Sequence, residues 1–118
     1  MTNEEILELQ NETIESLKTY LKSLIPSMEK VVIELKDEMQ EDTWEYLRMI
    51  LDGFNWAVEA FNATQDVINK DGIIDVKVVD ESVKSLSDSY TKKDAAGVAT
   101  TLEECILPFL ITIDKAIS

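Results

Sequence analysis

Side chains that could act in catalysis are of few kinds in this sequence. Carboxylates are abundant, there is one cysteine, and there is no histidine. Histidine is the commonest general base and metal ligand, so its absence removes every Ser–His and Cys–His arrangement. Cys105 falls on the apolar face of a helical pattern, where a cysteine usually packs in the core, and we expect it to be buried and unreactive. The sequence therefore predicts no catalytic residues, and a protein that is not an enzyme.

One set of carboxylates is regular enough to be tested as a metal site. It recurs every seven residues and consists of Glu45, Asp52, Glu59 and Asp66. Di-iron helical proteins combine such carboxylates with Glu-x-x-His motifs, which cannot occur here. Each member directly follows a position of one helical stripe that is apolar except at Gln65, as on the outer face of a helix, so we expect solvated surface. The three glycines are isolated and form no phosphate-binding motif, and we expect neither a metal nor a cofactor.

These carboxylates belong to a stretch, residues 43–69, that is apolar on two sides. The first apolar stripe comprises Trp44, Leu47, Leu51, Phe54, Val58, Phe61 and Ile68. The second stripe, roughly opposite, comprises Met49, Gly53, Trp56, Ala60, Ala63 and Val67. Steps of three and four residues predict a long helix. Apolar residues over most of its circumference are typical of a helix that is central in its domain or shared between subunits.

The second stripe supplies the candidate interface of this sequence, which is Met49, Gly53, Trp56, Ala60 and Ala63. A glycine within a helix costs about 1 kcal/mol relative to alanine, and close approach of another backbone would explain Gly53. Two interpretations stay open: another helix of the same chain covers this face, or the face is a dimer seam or a groove for a partner helix. In both cases we expect Trp56 to be largely buried.

Three further helices are predicted by the same alternation. The first includes Pro26, which either kinks one helix or separates two, and the unbroken apolar phase favours the kink. The third follows Asp75, although the β-branched residues from Ile73 to Val79 could form a short strand. The last follows Asp94 and contains Pro108. Short polar links make successive helices antiparallel, so we predict one all-α domain over residues 1–118, an up-and-down bundle of about four helices with proline kinks in the first and last.

Capping residues mark the ends of the predicted helices. Thr2, Asp42, Asp75 and Asp94 each stand where a helix begins, and each has a side-chain oxygen that can accept from a backbone N–H. Gly72 follows the second helix and is placed to adopt the left-handed conformation.

The overall charge limits the kinds of partner that the protein is expected to bind. Acidic residues number 24 against 11 basic ones, a net charge of −13. Such a field disfavours nucleic acid and anionic lipid and favours basic partners, besides keeping a protein soluble. The sequence begins without the basic and apolar regions of a signal peptide, and no apolar run approaches the roughly 20 residues of a membrane span. We therefore expect a cytoplasmic protein that binds neither nucleic acid nor membrane.

Two segments of the chain resemble known sequences. GFNWAVEA, residues 53–60, and LEECILPFL, residues 102–110, are similar to stretches of small uncharacterised helical proteins of Gram-positive bacteria. Those proteins share a glycine and a tryptophan in the middle helix and a leucine-proline-apolar-leucine run in the last. The resemblance implies a bacterial, all-helical, cytoplasmic protein, and it carries over no activity and no site residue.

The predicted function follows from size, charge and helicity. We expect a non-enzymatic protein-interaction module, such as a small acidic chaperone or adaptor for a basic or amphipathic partner, with self-association as another form of binding. The alternative is a helical bundle that binds a metal or a small ligand through carboxylates.

Overall fold

All regular elements of the computed structural model, which describes residues 2–37 and 39–117, are helices. Helix α1 spans Asn3–Lys36, α2 spans Thr43–Ile68, α3 spans Val76–Thr91 and α4 spans Ala95–Ile117. Within α4, Leu102–Ile106 form a π-helical turn. No strand occurs in the described ranges. The predicted all-α bundle of about four helices is therefore confirmed, and the β-branched stretch after Gly72 does not form a strand.

Helices α1 and α2 run antiparallel along their shared length, as the short connection between them predicts. The side-chain contacts that show this are Gln10 with Asp66, Tyr20 with Trp56, and Lys30 with Tyr46. From one contact to the next, the residue number on α1 rises by ten and the residue number on α2 falls by ten. The two helices therefore pack side by side along one long seam. Trp44 at the start of α2 contacts Tyr90 at the end of α3, which gives α2 and α3 opposite directions as well.

The helix in the middle of the bundle is α1 rather than α2. Helix α1 packs against α2 and against α4 on both sides of the π turn, while α3 packs on α4. The prediction that α2 is central is wrong for the single chain, because α2 packs mainly on α1 and leaves Met49 and Trp56 of its second stripe exposed. Leu47, Phe54 and Phe61 of that stripe are buried in the core.

An aromatic cluster joins α2 to α4. Phe109 stands edge-on to Phe54 and to Phe61, with ring centroids 6.4 and 5.3 Å away. Edge-to-face pairs at these distances add to the roughly 2–3 kcal/mol that burial of each ring contributes. The leucine-proline-apolar-leucine run of α4 is thus a core segment, with Phe109 as its anchor.

Helix α1 continues through Pro26 without a break, so the interpretation of two separate helices is wrong. Pro26 lacks an N–H and leaves the carbonyl of Lys22 without its helical partner. Both residues are exposed, so water can satisfy that carbonyl. Because the helix continues on both sides of Pro26, its apolar residues stay on one face, and Leu21, Leu24 and Met28 are all buried.

Helix α4 accommodates its proline differently. Pro108 cannot donate to the carbonyl of Glu104, and its ring crowds that carbonyl. In the preceding turn the hydrogen bonds widen to the π pattern, and the N–H of Leu107 bonds to the carbonyl of Leu102. The helix passes Pro108 at the cost of one irregular turn, which shifts the faces of the residues within it.

Three of the four predicted N-caps are confirmed. The Thr2 hydroxyl accepts from the N–H of Glu5 at 3.2 Å, Asp75 accepts from Lys77 at 3.0 Å, and Asp94 accepts from Gly97 at 3.1 Å. The exception is at α2, where the side chain of Asp42 makes no capping bond.

The N-terminus of α2 is organised by the next residue instead. The Thr43 hydroxyl accepts from the N–H of Gln40 at 2.7 Å, which closes the turn that leads into the helix. Thr43 is buried, and it is better placed than the exposed Asp42 to fix the chain there.

The link from α2 to α3 is closed by Asn69. Its side-chain amide donates to the carbonyl of Ile74 at 3.0 Å, and its side-chain oxygen accepts from the N–H of Ile74 at 2.9 Å. Gly72 lies between them with φ +68°, the left-handed conformation predicted for it. The loop is therefore held in one shape by backbone and side chain together.

Candidate functional site

A broad concave surface lies on the outer side of the α1–α2 seam. This α1–α2 groove has a volume of about 760 Å³ and is lined by Glu15, Ser16, Thr19, Tyr20, Ser23, Gly53 and Trp56. Two smaller depressions lie in line with it along the same seam. One, of about 150 Å³, includes Tyr46 and Met49, and the other, of about 210 Å³, includes Ile6 and Ala63. The concave strip thus follows most of the length of α2.

An aromatic pair forms the floor of the groove. The Tyr20 ring of α1 stands edge-on to the Trp56 ring of α2, with centroids 5.4 Å apart and planes at 86°. Tyr20 lies over Gly53, where a Cβ would overlap the tyrosine hydroxyl. The close approach predicted at Gly53 is therefore made by a side chain and not, as expected, by another backbone.

The five residues of the candidate interface divide between the groove and the core. Met49 is 67% exposed and Trp56 is 40% exposed. Ala63 is also exposed and Gly53 is half-buried, whereas Ala60 is buried. The structure thus brings four of the five to one outward surface. The expectation that another helix of the chain largely buries Trp56 is wrong, because 40% of the residue stays exposed beside its contact with Tyr20 of α1.

A search for apolar stripes does not find Tyr20 or the hydroxyl residues near it on α1. Together these residues form a polar wall of the groove. The wall on α1 consists of Thr13, Ser16, Tyr20, Ser23 and Ser27, which alternate in steps of three and four. Small hydroxyl residues let α1 lie close to α2, and the Ser23 hydroxyl donates to the Tyr20 carbonyl of its own helix at 3.0 Å. The signal that could have found this wall is its spacing, which matches that of the small residues on α2.

Charge is distributed unevenly along the groove. Towards the end where α1 begins, Lys18 is half-buried and Lys70 lies beyond the end of α2, next to Asp71, while the exposed charged residues of the two helices are all acidic: Glu4, Glu5, Glu8, Glu12, Glu15, Glu59 and Asp66. At the other end the exposed charged residues of the two helices are of both signs, and the link between them adds Asp37, Glu41 and Asp42: the helices carry Lys22, Lys30, Lys36 and Arg48 together with Glu29, Glu45 and Asp52. We call these the acidic end and the mixed end. Gln10 closes the acidic end by donating to Asp66 at 2.8 Å and to the carbonyl of Ala63 at 3.3 Å.

The regular carboxylates of α2 lie on its outer face, as predicted. Glu45, Asp52, Glu59 and Asp66 are all exposed. Residues seven apart in a helix are separated by about 10 Å along its axis, too far for neighbours to share one ion. Among the described residues, no group of three or more His, Cys, Asp or Glu side chains is placed to hold a metal.

One ionisable group outside the groove has a shifted pKa. The hydrogen bond from Lys36 to Glu103, which ties α1 to α4, raises the pKa of the lysine above its ordinary value of 10.5. Both side chains are about half exposed, and exposed ion pairs contribute little to stability. This pair positions helices and lies away from the Tyr20–Trp56 floor.

Cys105 is exposed, so the prediction of a buried cysteine is wrong. It lies in the π turn, where the regular helical phase fails, and Leu102 and Ile106 take the buried positions. Cys105 borders a second concavity of about 330 Å³, the α3–α4 groove, together with Ile73, Val78 and Pro108. Ile73 and Val78 are 75% and 55% exposed, while Phe109 and Ile106 form the buried floor of this groove.

Helix α4 is long and strongly apolar. By length and composition alone it could cross a membrane, and 44% of its apolar window is buried inside the bundle. Leu102, Ile106 and Ile113 are fully buried against the other helices. Their place in the core accounts for much of the apolar character of this helix.

Comparison with known proteins gives one match. No curated protein and no solved structure matches the chain. A protein family described as a domain of unknown function, DUF8042, matches residues 12–116. That range includes both segments that resemble uncharacterised helical proteins, and it includes the Tyr20–Trp56 floor of the α1–α2 groove. Because the match extends over nearly the whole chain, this protein belongs to the DUF8042 family of domains of unknown function.

Proposed function

We propose that this protein is a non-enzymatic interaction module that binds a protein partner along the α1–α2 groove. The observation that carries the proposal is Trp56, a large aromatic residue left 40% exposed on the floor of a groove of about 760 Å³. Aromatic residues in a concave surface are typical energetic centres of protein interfaces. A small acidic chaperone or adaptor would use such a surface.

The apolar surface around Trp56 has the dimensions of a helix-binding site. The three depressions follow α1 from Ile6 to Ser27, roughly 30 Å at 1.5 Å per residue. Met49 lies at one end of this strip and Ile6 at the other, and both are exposed. A partner helix laid along the strip would cover exposed apolar side chains on both of its walls.

The alternative function, binding of a metal or small ligand through carboxylates, has no comparable feature to support it. The carboxylates of α2 are exposed and spaced along its length. The proposal of protein binding is therefore preferred, and self-association along the same groove is one of the outcomes that its test distinguishes.

The test compares Trp56→Ala with a matched truncation outside the groove. Ile33 is exposed on α1 and lines none of the three depressions, so Ile33→Ala is the control. A protein captured from lysate by the parent chain is identified, purified and titrated against all three forms. We expect Trp56→Ala to weaken binding at least tenfold, about 1.4 kcal/mol, and Ile33→Ala to leave it unchanged.

Light scattering of the purified chain completes the test. A dimer that Trp56→Ala converts to a monomer would make a second copy the partner. Equal binding by Trp56→Ala and Ile33→Ala, with no change of mass in either, would overturn the proposal.

A further inference from the structure

We infer that the occupant of the α1–α2 groove is an amphipathic helix whose basic residues are clustered at one end, over the acidic end of the groove. This inference rests on the proposed function and specifies the partner. It commits to a separate protein segment rather than to a second copy of this chain. The net charge of −13 opposes bringing two copies together along a groove flanked by carboxylates.

The first support is the apolar strip, which fixes the form of the occupant. Its walls are two antiparallel helices, and Tyr20, Trp56 and Met49 lie along the strip between them. Side chains three and four residues apart on one helix would follow this line. An occupant that covers the strip from Ile6 to Ser27 needs about 20 helical residues.

The second support is the difference in charge between the two ends of the groove. Glu15 lines the groove, and Glu12 on α1 and Glu59 on α2 are exposed in the same half of the seam, where the half-buried Lys18 is the one basic residue of the two helices. Lys22 and Arg48 appear only towards the mixed end, where carboxylates offset them. A helix with lysines along its whole length would meet like charge at the mixed end. A helix with lysines at one end meets mainly carboxylates there.

The third support is that the carboxylates of the acidic end take no part in ion pairs. Among the described residues, ion pairs join Lys36 to Glu103 and Lys92 to Asp88, and neither pair involves the acidic end. Charges at the acidic end therefore face solvent beside an exposed apolar strip. Basic side chains of a partner would neutralise them without breaking an ion pair within the chain.

Three synthetic helical peptides test the inference, each about 20 residues long to match the strip. All carry the same leucine and tryptophan stripe. The first has its lysines clustered in one half, the second has the same lysines dispersed over both halves, and the third has glutamates in place of the clustered lysines. We expect affinity for the chain to fall in that order, with the difference shrinking in high salt because exposed charges are screened.

Two double variants of the protein locate the effect. Glu12→Gln/Glu15→Gln neutralises two carboxylates of the acidic end, and Glu29→Gln/Glu45→Gln neutralises two exposed carboxylates near the mixed end. Each changes the net charge by the same amount, from −13 to −11. An exposed ion pair contributes up to about 1 kcal/mol, so we expect about a fivefold loss of affinity for the clustered peptide in the first variant and less than about twofold in the second.

The outcomes separate this inference from the proposed function. Equal affinity of all three peptides, reduced in each case by Trp56→Ala, overturns the charge inference and leaves binding along the groove intact. Equal losses in the two double variants also overturn it, because the effect would then follow net charge alone. Absence of binding by every peptide, or binding that Trp56→Ala does not change, counts against the proposed function itself.

Discussion

The α1–α2 groove and the α3–α4 groove are built in different ways. Two regular helices form the first, and its floor is the partly exposed Tyr20–Trp56 pair, outside the buried core. The second combines a loop, a helix and a π turn, and its floor is formed by Phe109 and other core residues. A side chain on the floor of the first groove can contact a partner, because it is not needed to fill the core. A side chain on the floor of the second groove is already packed in the core.

The largest expected effect comes from truncating one floor residue of each groove. Phe109→Ala removes the ring that contacts Phe54 and Phe61, and we expect a loss of about 3–5 kcal/mol in the free energy of unfolding, as for other buried phenylalanines. Trp56→Ala truncates a larger side chain that is 40% exposed, and we expect a smaller loss of about 2 kcal/mol because only part of the indole is buried. Urea unfolding followed by circular dichroism measures both.

The same two measurements can contradict the conclusion that the floors of the two grooves differ. Equal losses for Phe109→Ala and Trp56→Ala would mean that Trp56 is a core residue and that the two floors do not differ. A mass change on Trp56→Ala, detected by light scattering at constant stability, would instead place the indole in a dimer seam.

Most of the first groove is predictable from the amino-acid sequence. Residues in regular helices keep a constant angular step, so periodicity alone assigns Met49, Gly53 and Trp56 to one face. Which of two opposite stripes is covered depends on where the other helices pack, and periodicity carries no such information. For this reason the sequence leaves open whether the chain itself or a second copy covers Trp56, and its prediction of a central α2 is wrong for the single chain.

The second groove could not be predicted in the same way. Its wall depends on the π turn before Pro108, and a π turn is a choice of hydrogen-bond partner that leaves no apolar period in the sequence. A regular α-helix would turn Cys105 inward with Leu102 and Phe109, whereas the π turn gives that place to Ile106. The proline is visible in the sequence, but the response of the helix to it differs between Pro26 and Pro108.

A smaller effect is expected where Tyr20 covers Gly53. Gly53→Ala gains up to about 1 kcal/mol of helix propensity, but its Cβ would overlap the Tyr20 hydroxyl and displace the ring. We expect the variant to be neutral or destabilised in the parent chain. In a Tyr20→Ala background the overlap is gone, and the same change should stabilise the protein by about 1 kcal/mol.

Tyr46→Ala provides the matched background for this cycle. Tyr46 also faces the α1–α2 seam, but the three atoms nearest to a Cβ at Gly53 all belong to Tyr20. Gly53→Ala should therefore have the same effect in Tyr46→Ala as in the parent chain. Stabilisation by Gly53→Ala in the parent chain itself would show that Tyr20 does not rest on Gly53, and the floor of the first groove would have to be redrawn.

The smallest effect on stability is expected at Cys105, where the second groove can be tested directly. The thiol is exposed in the π turn, so Cys105→Ser should change the free energy of unfolding by less than about 0.5 kcal/mol. In the native protein Cys105 should react with an aromatic disulfide reagent nearly as fast as in denaturant, because its side chain is accessible.

The matched control moves the thiol by one residue, as Cys105→Ser/Ile106→Cys, to a position whose side chain is fully buried. We expect that thiol to be protected until the protein unfolds. The reverse pattern, with Cys105 protected and the thiol at position 106 reactive, would mean that α4 passes Pro108 in regular α-helical phase, and the α3–α4 groove would lose the turn that forms its wall.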